Sequence, residues 1–266
     1  MGEGTMDLQQ RVALVTGAGS GIGKACSLKL AADGARVIAH AHKDEETEAT
    51  VAEILREGGD AFGVTADVRD ENAWRDAIEC GVAQYGTLDI VVANAGINGV
   101  WAPIDELQPA EWDNTVNTNL RGTYLTLHYT VPHLKRAGSG SIVIVSSING
   151  TRMFSHGGAS AYSTTKAGLL ALGQMLALEL AKHRIRVNVV CPGKIDTDIG
   201  ENTRARNSQE ASEAADYPEG KIPLTDGRAG KGADVAELVA FLSSERAKFI
   251  TGTPVWIDGG QSLLVG

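Results

Sequence analysis

Residues 16–23 read Thr16-Gly17-Ala18-Gly19-Ser20-Gly21-Ile22-Gly23, and far along the chain Tyr162 is followed four residues later by Lys166. A run this rich in glycine suits backbone that must come close to a phosphate, because a Cβ would stand in the way. Tyr162 and Lys166 fall on one face of a helix, a turn apart, which sets an ammonium beside a phenol. A free phenol, with a pKa of about 10, is a poor base at neutral pH, and a neighbouring cation stabilises its phenolate. A phosphate-holding loop and a phenol–ammonium pair in one chain point to proton chemistry beside a bound dinucleotide.

Such residues need a scaffold that brings them together. Short β-rich runs alternate with longer helical patterns from end to end. Strands are expected at 12–16, 36–41, 61–66, 89–93, 141–146, 186–191 and 254–257. Several are almost continuously apolar, as in Ile142-Val143-Ile144-Val145, which suits strands covered on both faces. Trp74, Ala77, Ile78, Gly81, Val82 and Tyr85 follow the helical period and form one buried face. A helix over 51–57 should stop at Gly58-Gly59. Asp234-Val235-Ala236-Glu237 reads as a capping box opening a helix to about Ser243. This alternation predicts a single doubly wound α/β domain of Rossmann type over 11–266, a seven-stranded parallel sheet with helices on both faces. Residues 1–10 read as a polar, flexible tail. The segment 194–232 is charged and weakly periodic, and it follows a strand end, where open α/β sheets bind ligands. It reads as a substrate lid.

The context of the glycine loop supports its reading. A strand precedes it and a helical stretch, 24–32, follows, so backbone N–H groups and the helix dipole can hold a pyrophosphate. An ATPase-type loop fails, since Lys24 would need glycine at Ala18 and Ser or Thr at Ala25. The net charge of −9 opposes nucleic acid as a partner. No apolar run reaches membrane-spanning length, and the N-terminus lacks a basic-then-apolar signal region. Cys26, Cys80 and Cys191 are dispersed and form no CxxC. They read as buried, reduced thiols in a cytoplasmic protein. His40-Ala41-His42 lacks a third ligand, so no metal site is expected, and the pair reads as a solvated strand end. His128 and His133 read as structural. Trp74, Trp101, Trp112 and Trp256 read as core or interface residues.

Taken together, these motifs resemble the short-chain dehydrogenase/reductase family, with the match running from about Arg11 to Gly260. The family pattern Thr-Gly-x-x-x-Gly-x-Gly appears as Thr16 to Gly23, Asn-Ala-Gly as Asn94-Ala95-Gly96, Tyr-x-x-x-Lys as Tyr162 to Lys166, and the Pro-Gly turn as Pro192-Gly193. The resemblance implies an oxidoreductase that interconverts a secondary alcohol and a ketone with NADP or NAD. It implies that Tyr162 is the general acid/base and that Lys166 supports the phenolate and holds the nicotinamide ribose. Ser147 would bond the substrate oxygen, and Asn119 would anchor a water behind Lys166. Ser146 competes with Ser147, and Asn117 with Asn119. The implied cofactor contacts are Gly17, Ser20, Gly21, Ile22 and Gly23 in the loop, Asp67 and Val68 at the adenine, and Asn94, Ala95 and Gly96. To these the resemblance adds Tyr162, Lys166, Pro192, Gly193, Ile195 and Thr197. A homotetramer follows from the family too, with helices over 112–135 and 162–182 and the strand around Trp256 buried between subunits. Surplus apolar residues on the second helix, from Leu169 to Leu180, agree.

The cofactor's 2′ end is legible to a point. An NAD-preferring site places an acid at the end of the second strand, and here that position is Ala41. His42 and Lys43 follow and could face a 2′-phosphate, while Asp44 reads as the N-cap of the next helix. NADP is therefore expected to be favoured, with NAD possible. The lid offers Asp198, Glu201, Asn202, Arg204, Arg206 and Asn207, a lining that suits a small polar substrate such as a sugar, polyol, or hydroxy or keto acid. The alternatives are a 3-oxoacyl-carrier-protein reductase and a non-catalytic dinucleotide-binding regulator. A sugar-nucleotide epimerase is disfavoured, because no substantial C-terminal domain follows the sheet.

Overall fold

Apolar runs that alternate between two cores build the centre of the molecule. The computed structural model describes residues 8–154, 156–197, 203–212 and 222–264. In β1 (Val12–Thr16), Val12 and Leu14 enter one core while Ala13 and Val15 enter the other. A strand buried on both sides cannot alternate apolar with polar, which is why these runs read as continuous.

The chain proceeds through α1 (Gly21–Ala32), β2 (Arg36–Ala41), α2 (Asp44–Arg56), β3 (Asp60–Thr65), α3 (Glu71–Tyr85), β4 (Ile90–Ala93) and the short β5 (Gly99–Trp101). Then come α4 (Pro109–Val116), α5 (Gly122–Ala137), β6 (Gly140–Val145), α6 (Ser160–Leu180) and β7 (Ile185–Pro192). The small strands β8 (Ile195–Asp196), β9 (Thr203–Ala205) and β10 (Gly230–Lys231) precede α7 (Gly232–Ser243) and β11 (Pro254–Ile257). The main sheet has seven parallel strands in the order β11-β7-β6-β4-β1-β2-β3, so the strand order reverses at β1/β4. Helices α1, α2 and α7 contribute Leu30, Ile54 and Val239 to one face. Helices α3, α5 and α6 contribute Trp74, Leu125 and Leu169 to the other. Trp74 is fully buried, with its Nε1 donating to Thr126 Oγ1 at 3.1 Å. Truncating an aromatic side chain so placed costs roughly 3–5 kcal/mol.

The seven expected strands are present within a residue or so of their limits. Several local readings change. The helix expected over 112–135 is broken by a π-turn, Asn117–Arg121, between α4 and α5. Asp44 is the first residue of α2 rather than its cap, and Lys43 holds the cap position. Asp234 accepts from the Lys231 N–H at 2.7 Å as the third residue of α7, so that helix starts earlier than expected. Leu8 is buried and its N–H bonds Asp33 O at 3.2 Å, so the tail is docked by residue 8, and residues 1–7 lie outside those described. Cys26 and Cys191 are buried, but Cys80 is exposed at the surface of α3. Among the described residues no helix is long and apolar enough to cross a membrane. Nor do those residues include a cluster of His, Cys, Asp and Glu able to hold a metal ion.

Candidate active site

A cleft of about 510 Å³ opens at the carboxyl ends of the strands, across the reversal at β1/β4. That is where an open α/β sheet leaves room, because the connections leave in opposite directions. Thr16 closes β1 onto β4: its Oγ1 accepts from the N–H of Asn94 (2.9 Å) and of Ala95 (3.0 Å). Asn94 returns the tie, its amide donating to Thr16 O at 2.9 Å. Gly17 has φ +66°, and a Cβ there would meet the Asn94 amide at 2.9 Å, so only glycine passes. A Cβ on Gly23 would press into the Gly17 carbonyl, and its absence lets α1 start hard against the loop. The start of α1 carries no side-chain cap and no acid in its first turn. Its N–H groups and positive dipole end therefore stay available for an anion. This cradle fits a dinucleotide pyrophosphate.

At the other end stand Tyr162 and Lys166, on the first turns of α6 and both buried. Lys166 Nζ lies 5.5 Å from the Tyr162 ring centroid and donates to Val145 O at 3.0 Å. Burial holds the Tyr162 pKa above its ordinary value, partly offset by a hydrogen bond with Ser147. Burial also lowers Lys166 to about 8. The phenol is therefore protonated at neutral pH and placed to give up its proton. Ser146 turns away, donating to Lys166 O at 2.7 Å. Of the two adjacent serines, Ser147 is the one that faces the tyrosine.

Asn119 sits in the π-turn and is fully buried, whereas Asn117 is exposed. Its side chain accepts from Ile97 N–H at 2.8 Å and donates to Ile97 O (2.9 Å) and Thr165 Oγ1 (3.2 Å). Those bonds leave its amide occupied by protein and tie the π-turn to the backbone beyond Gly96. A Cβ on Gly96 would sit 3.2 Å from Asn119 Oδ1 and 3.6 Å from Lys166 Nζ.

Most residues expected at the site do line the cleft: Gly17, Ser20, Gly21 and Ile22, then His42, Lys43, Asp67 and Val68, then Asn94, Ala95 and Gly96. Ser147, Tyr162, Lys166, Pro192, Gly193, Ile195 and Thr197 complete that wall. Gly23 and Asn119 stand behind it. Of the lining residues that were not expected, His40, Arg69 and Glu46 bear most on the site. His40 is buried rather than solvated: its ring lies 4.2 Å from Trp74, its Nδ1 accepts from Gly17 N–H at 3.4 Å, and its Nε2–H donates to Ala66 O at 3.0 Å. Burial lowers its pKa to about 4, which keeps it neutral, and the two hydrogen bonds set that tautomer. Arg69 grips Asp67 through Nε and Nη2 at 2.9 and 2.6 Å and reaches Asn114 at 2.6 Å. Glu46 brings a carboxylate to the cleft from the first turn of α2. Its spacing of three from Lys43 was a readable helix-pair signal.

The outer segment also differs from expectation. Trp101 belongs to neither of the two large cores; its ring stands 6.5 Å from that of Tyr162 and 5.5 Å from that of His156. Arg206 binds Glu111 at 2.8 and 3.0 Å and Glu106 O at 2.6 Å, and Asn207 binds the Glu106 carboxylate at 3.0 Å. Both therefore anchor their segment rather than line a substrate pocket. Arg204 is exposed on β9, while Asp198, Glu201 and Asn202 lie outside the described residues.

A family model described as Enoyl-(Acyl carrier protein) reductase matches residues 17–262. The chain belongs to the short-chain dehydrogenase/reductase family. It is 36% identical to the 3-oxoacyl-(acyl-carrier-protein) reductase FabG of Thermotoga maritima over 96% of this chain and 99% of that protein. Among solved structures, a 3-ketoacyl-ACP reductase from Sinorhizobium meliloti 1021 superposes with TM-score 0.91 at 57% identity, covering 95% of this chain and 99% of that one. A 3-ketoacyl-(acyl-carrier-protein) reductase from Brucella melitensis complexed with NADH superposes with TM-score 0.84 at 32% identity, covering 96% and 99%. As a short-chain dehydrogenase/reductase the chain is an enzyme that interconverts CH–OH and keto groups with NAD(P)(H).

Proposed function

We propose that Tyr162 gives a proton to, and takes one from, the oxygen of a ketone or secondary alcohol held beside Ser147. One observation supports this above the others: Tyr162 bonds Ser147 and has Lys166 against its ring, at the end of a cleft whose far end is the glycine loop. A bound nicotinamide supplies or accepts the hydride. Ser147 orients the substrate oxygen towards the phenol. Lys166 holds the nicotinamide ribose and, by its charge, favours phenolate during proton transfer. Asn119 keeps the 96–97 backbone beside Lys166, and a relay water is held by the main chain of the π-turn. The loop residues hold the pyrophosphate, Asp67 and Val68 the adenine, Ile195 and Thr197 the nicotinamide, and the 194–232 segment closes over the substrate.

NADP(H) is the favoured cofactor, because β2 ends at Ala41 without an acid while Lys43 and His42 line that end of the cleft. The preference is modest, since Ser20 adds no charge and one relative binds NADH. The enzyme works as a homotetramer, and its three free thiols suit the reducing cytoplasm. For the substrate we favour a small polar ketone or alcohol, seated by Trp101 with Asn98 and Thr203 near it; these two are bonded to each other at 2.7 Å. A second reading is a 3-oxoacyl thioester, supported by the names of the relatives above. NAD(P)H absorbance against sugars, polyols, hydroxy acids and 3-oxoacyl thioesters separates the two. Turnover confined to the thioesters overturns the small polar substrate, and no turnover of any carbonyl overturns the site.

A further inference from the structure

At the end of the cleft opposite Tyr162, the cation that follows β2 is not free. Lys43 Nζ is bonded to Glu46 Oε1 at 2.7 Å, three residues along the first turn of α2, and both side chains line the cleft. The carboxylate lies over the glycine loop: a Cβ added to Gly19 would come within 2.7 Å of Glu46 Cβ, 2.8 Å of its Oε2 and 3.1 Å of Ala41 Cβ. Gly19 is thus the position that makes room for Glu46 above the backbone of the glycine loop. The other charges there are already spoken for or weak. Arg69 is forked onto Asp67 and bonded to Asn114, and His42 is exposed, where water and salt screen its interactions.

We propose that Glu46 sets the discrimination at the 2′ position of the adenosine ribose, by holding Lys43 in an ion pair that a 2′-phosphate must break. This rests on the dinucleotide reading given above. A 2′-phosphate can recruit Lys43 only by displacing the carboxylate, which then stands unpaired beside a second anion. A 2′-hydroxyl meets no such conflict, because it can donate to Glu46 while Lys43 stays paired. Glu46, on the next helix, in this way tempers the pull that Lys43 would otherwise exert on a 2′-phosphate.

The test is binding of NADP+ and NAD+ by calorimetry to the wild type, Glu46→Gln, Lys43→Met and the double variant. Thermal melts check that each folds. Glu46→Gln should lower the ratio Kd(NADP+)/Kd(NAD+) by about 5- to 20-fold, the scale of one exposed ion pair and one like-charge contact. Lys43→Met should raise it, and adding Glu46→Gln on that background should shift it by less than it does in the wild type. A ratio unchanged within twofold by Glu46→Gln overturns the proposal, and an equal shift on both backgrounds overturns the route through Lys43. The wild-type ratio itself judges the proposed NADP(H) preference separately. Failure of either nucleotide to bind the wild type overturns the dinucleotide reading and this proposal with it.

Discussion

At the scale of single residues, burial sets the proton chemistry. Tyr162 is pushed above its ordinary pKa by desolvation, so the resting phenol is an acid, and it needs the Lys166 charge to act in reverse. Tyr162→Phe keeps the ring and its packing and removes the hydroxyl, with its proton and its bond to Ser147. Activity should fall by about 10²-fold or more while cofactor affinity holds within a few-fold, as steady-state kinetics beside a binding titration will show. Wild-type turnover in that variant removes Tyr162 from the chemistry. Lys166 gives a pH signature. Burial brings its pKa down to about 8, so the free enzyme loses this ammonium as pH rises through that value. Cofactor Kd should therefore be flat below about pH 7.5 and rise above pH 8, by at most about tenfold per pH unit. The rise should vanish in Lys166→Met. The same dependence in that variant assigns it to another group.

At the scale of elements, the outer segment is held by two small parallel pairings, β5 with β9 and β8 with β10. Arg206 reinforces the first: its N–H bonds Trp101 O at 2.9 Å while its guanidinium forks onto Glu111. Two strands of three residues are too short to hold alone, so the fork supplies what the ladder lacks. Arg206→Ala should loosen the wall that carries Trp101 without touching the glycine loop. Substrate KM should rise by about 5- to 10-fold, with cofactor Kd unchanged and partial recovery in Arg206→Lys. A cofactor Kd that moves in step with KM argues against this division of labour. The π-turn belongs to the same scale. One extra residue in a helical turn rotates Asn119 inward to Ile97 and leaves Asn117 at the surface.

At the scale of the whole molecule, α6 has more apolar surface than the sheet consumes. Leu169, Ala177 and Leu180 are buried in the core, whereas Met175 is 72% and Leu178 83% exposed. Large apolar side chains exposed together on one helix mark a contact surface. Light scattering at micromolar concentration should give the mass of four chains. Leu178→Glu should reduce that mass at equal concentration while leaving the far-ultraviolet spectrum unchanged. A wild-type monomer at that concentration overturns the tetramer.

The alternation of apolar strands and amphipathic helices was enough to determine the seven-stranded parallel fold, because hydrophobic periodicity is a local property and the crossover hand is nearly fixed. The glycine loop and the Tyr162/Lys166 pair were legible for the same reason, since each is a short spacing with one stereochemical use. Tertiary structure decided what depends on approach between distant segments. Ser147 rather than Ser146 meets Tyr162 because the backbone after β6 stays extended beside β7, so that the two side chains point opposite ways. His40 is buried because Trp74, from a helix more than thirty residues later, closes over it. Arg206 and Asn207 turned out to be anchors because Glu106 and Glu111 lie opposite them, about a hundred residues earlier in the chain. Glu46 reaches the cleft because α2 starts immediately at Asp44 and its first turn folds back over Gly19. Composition and spacing tell which groups a chain owns, but burial and the pairing of charges follow from which surfaces the fold presses together.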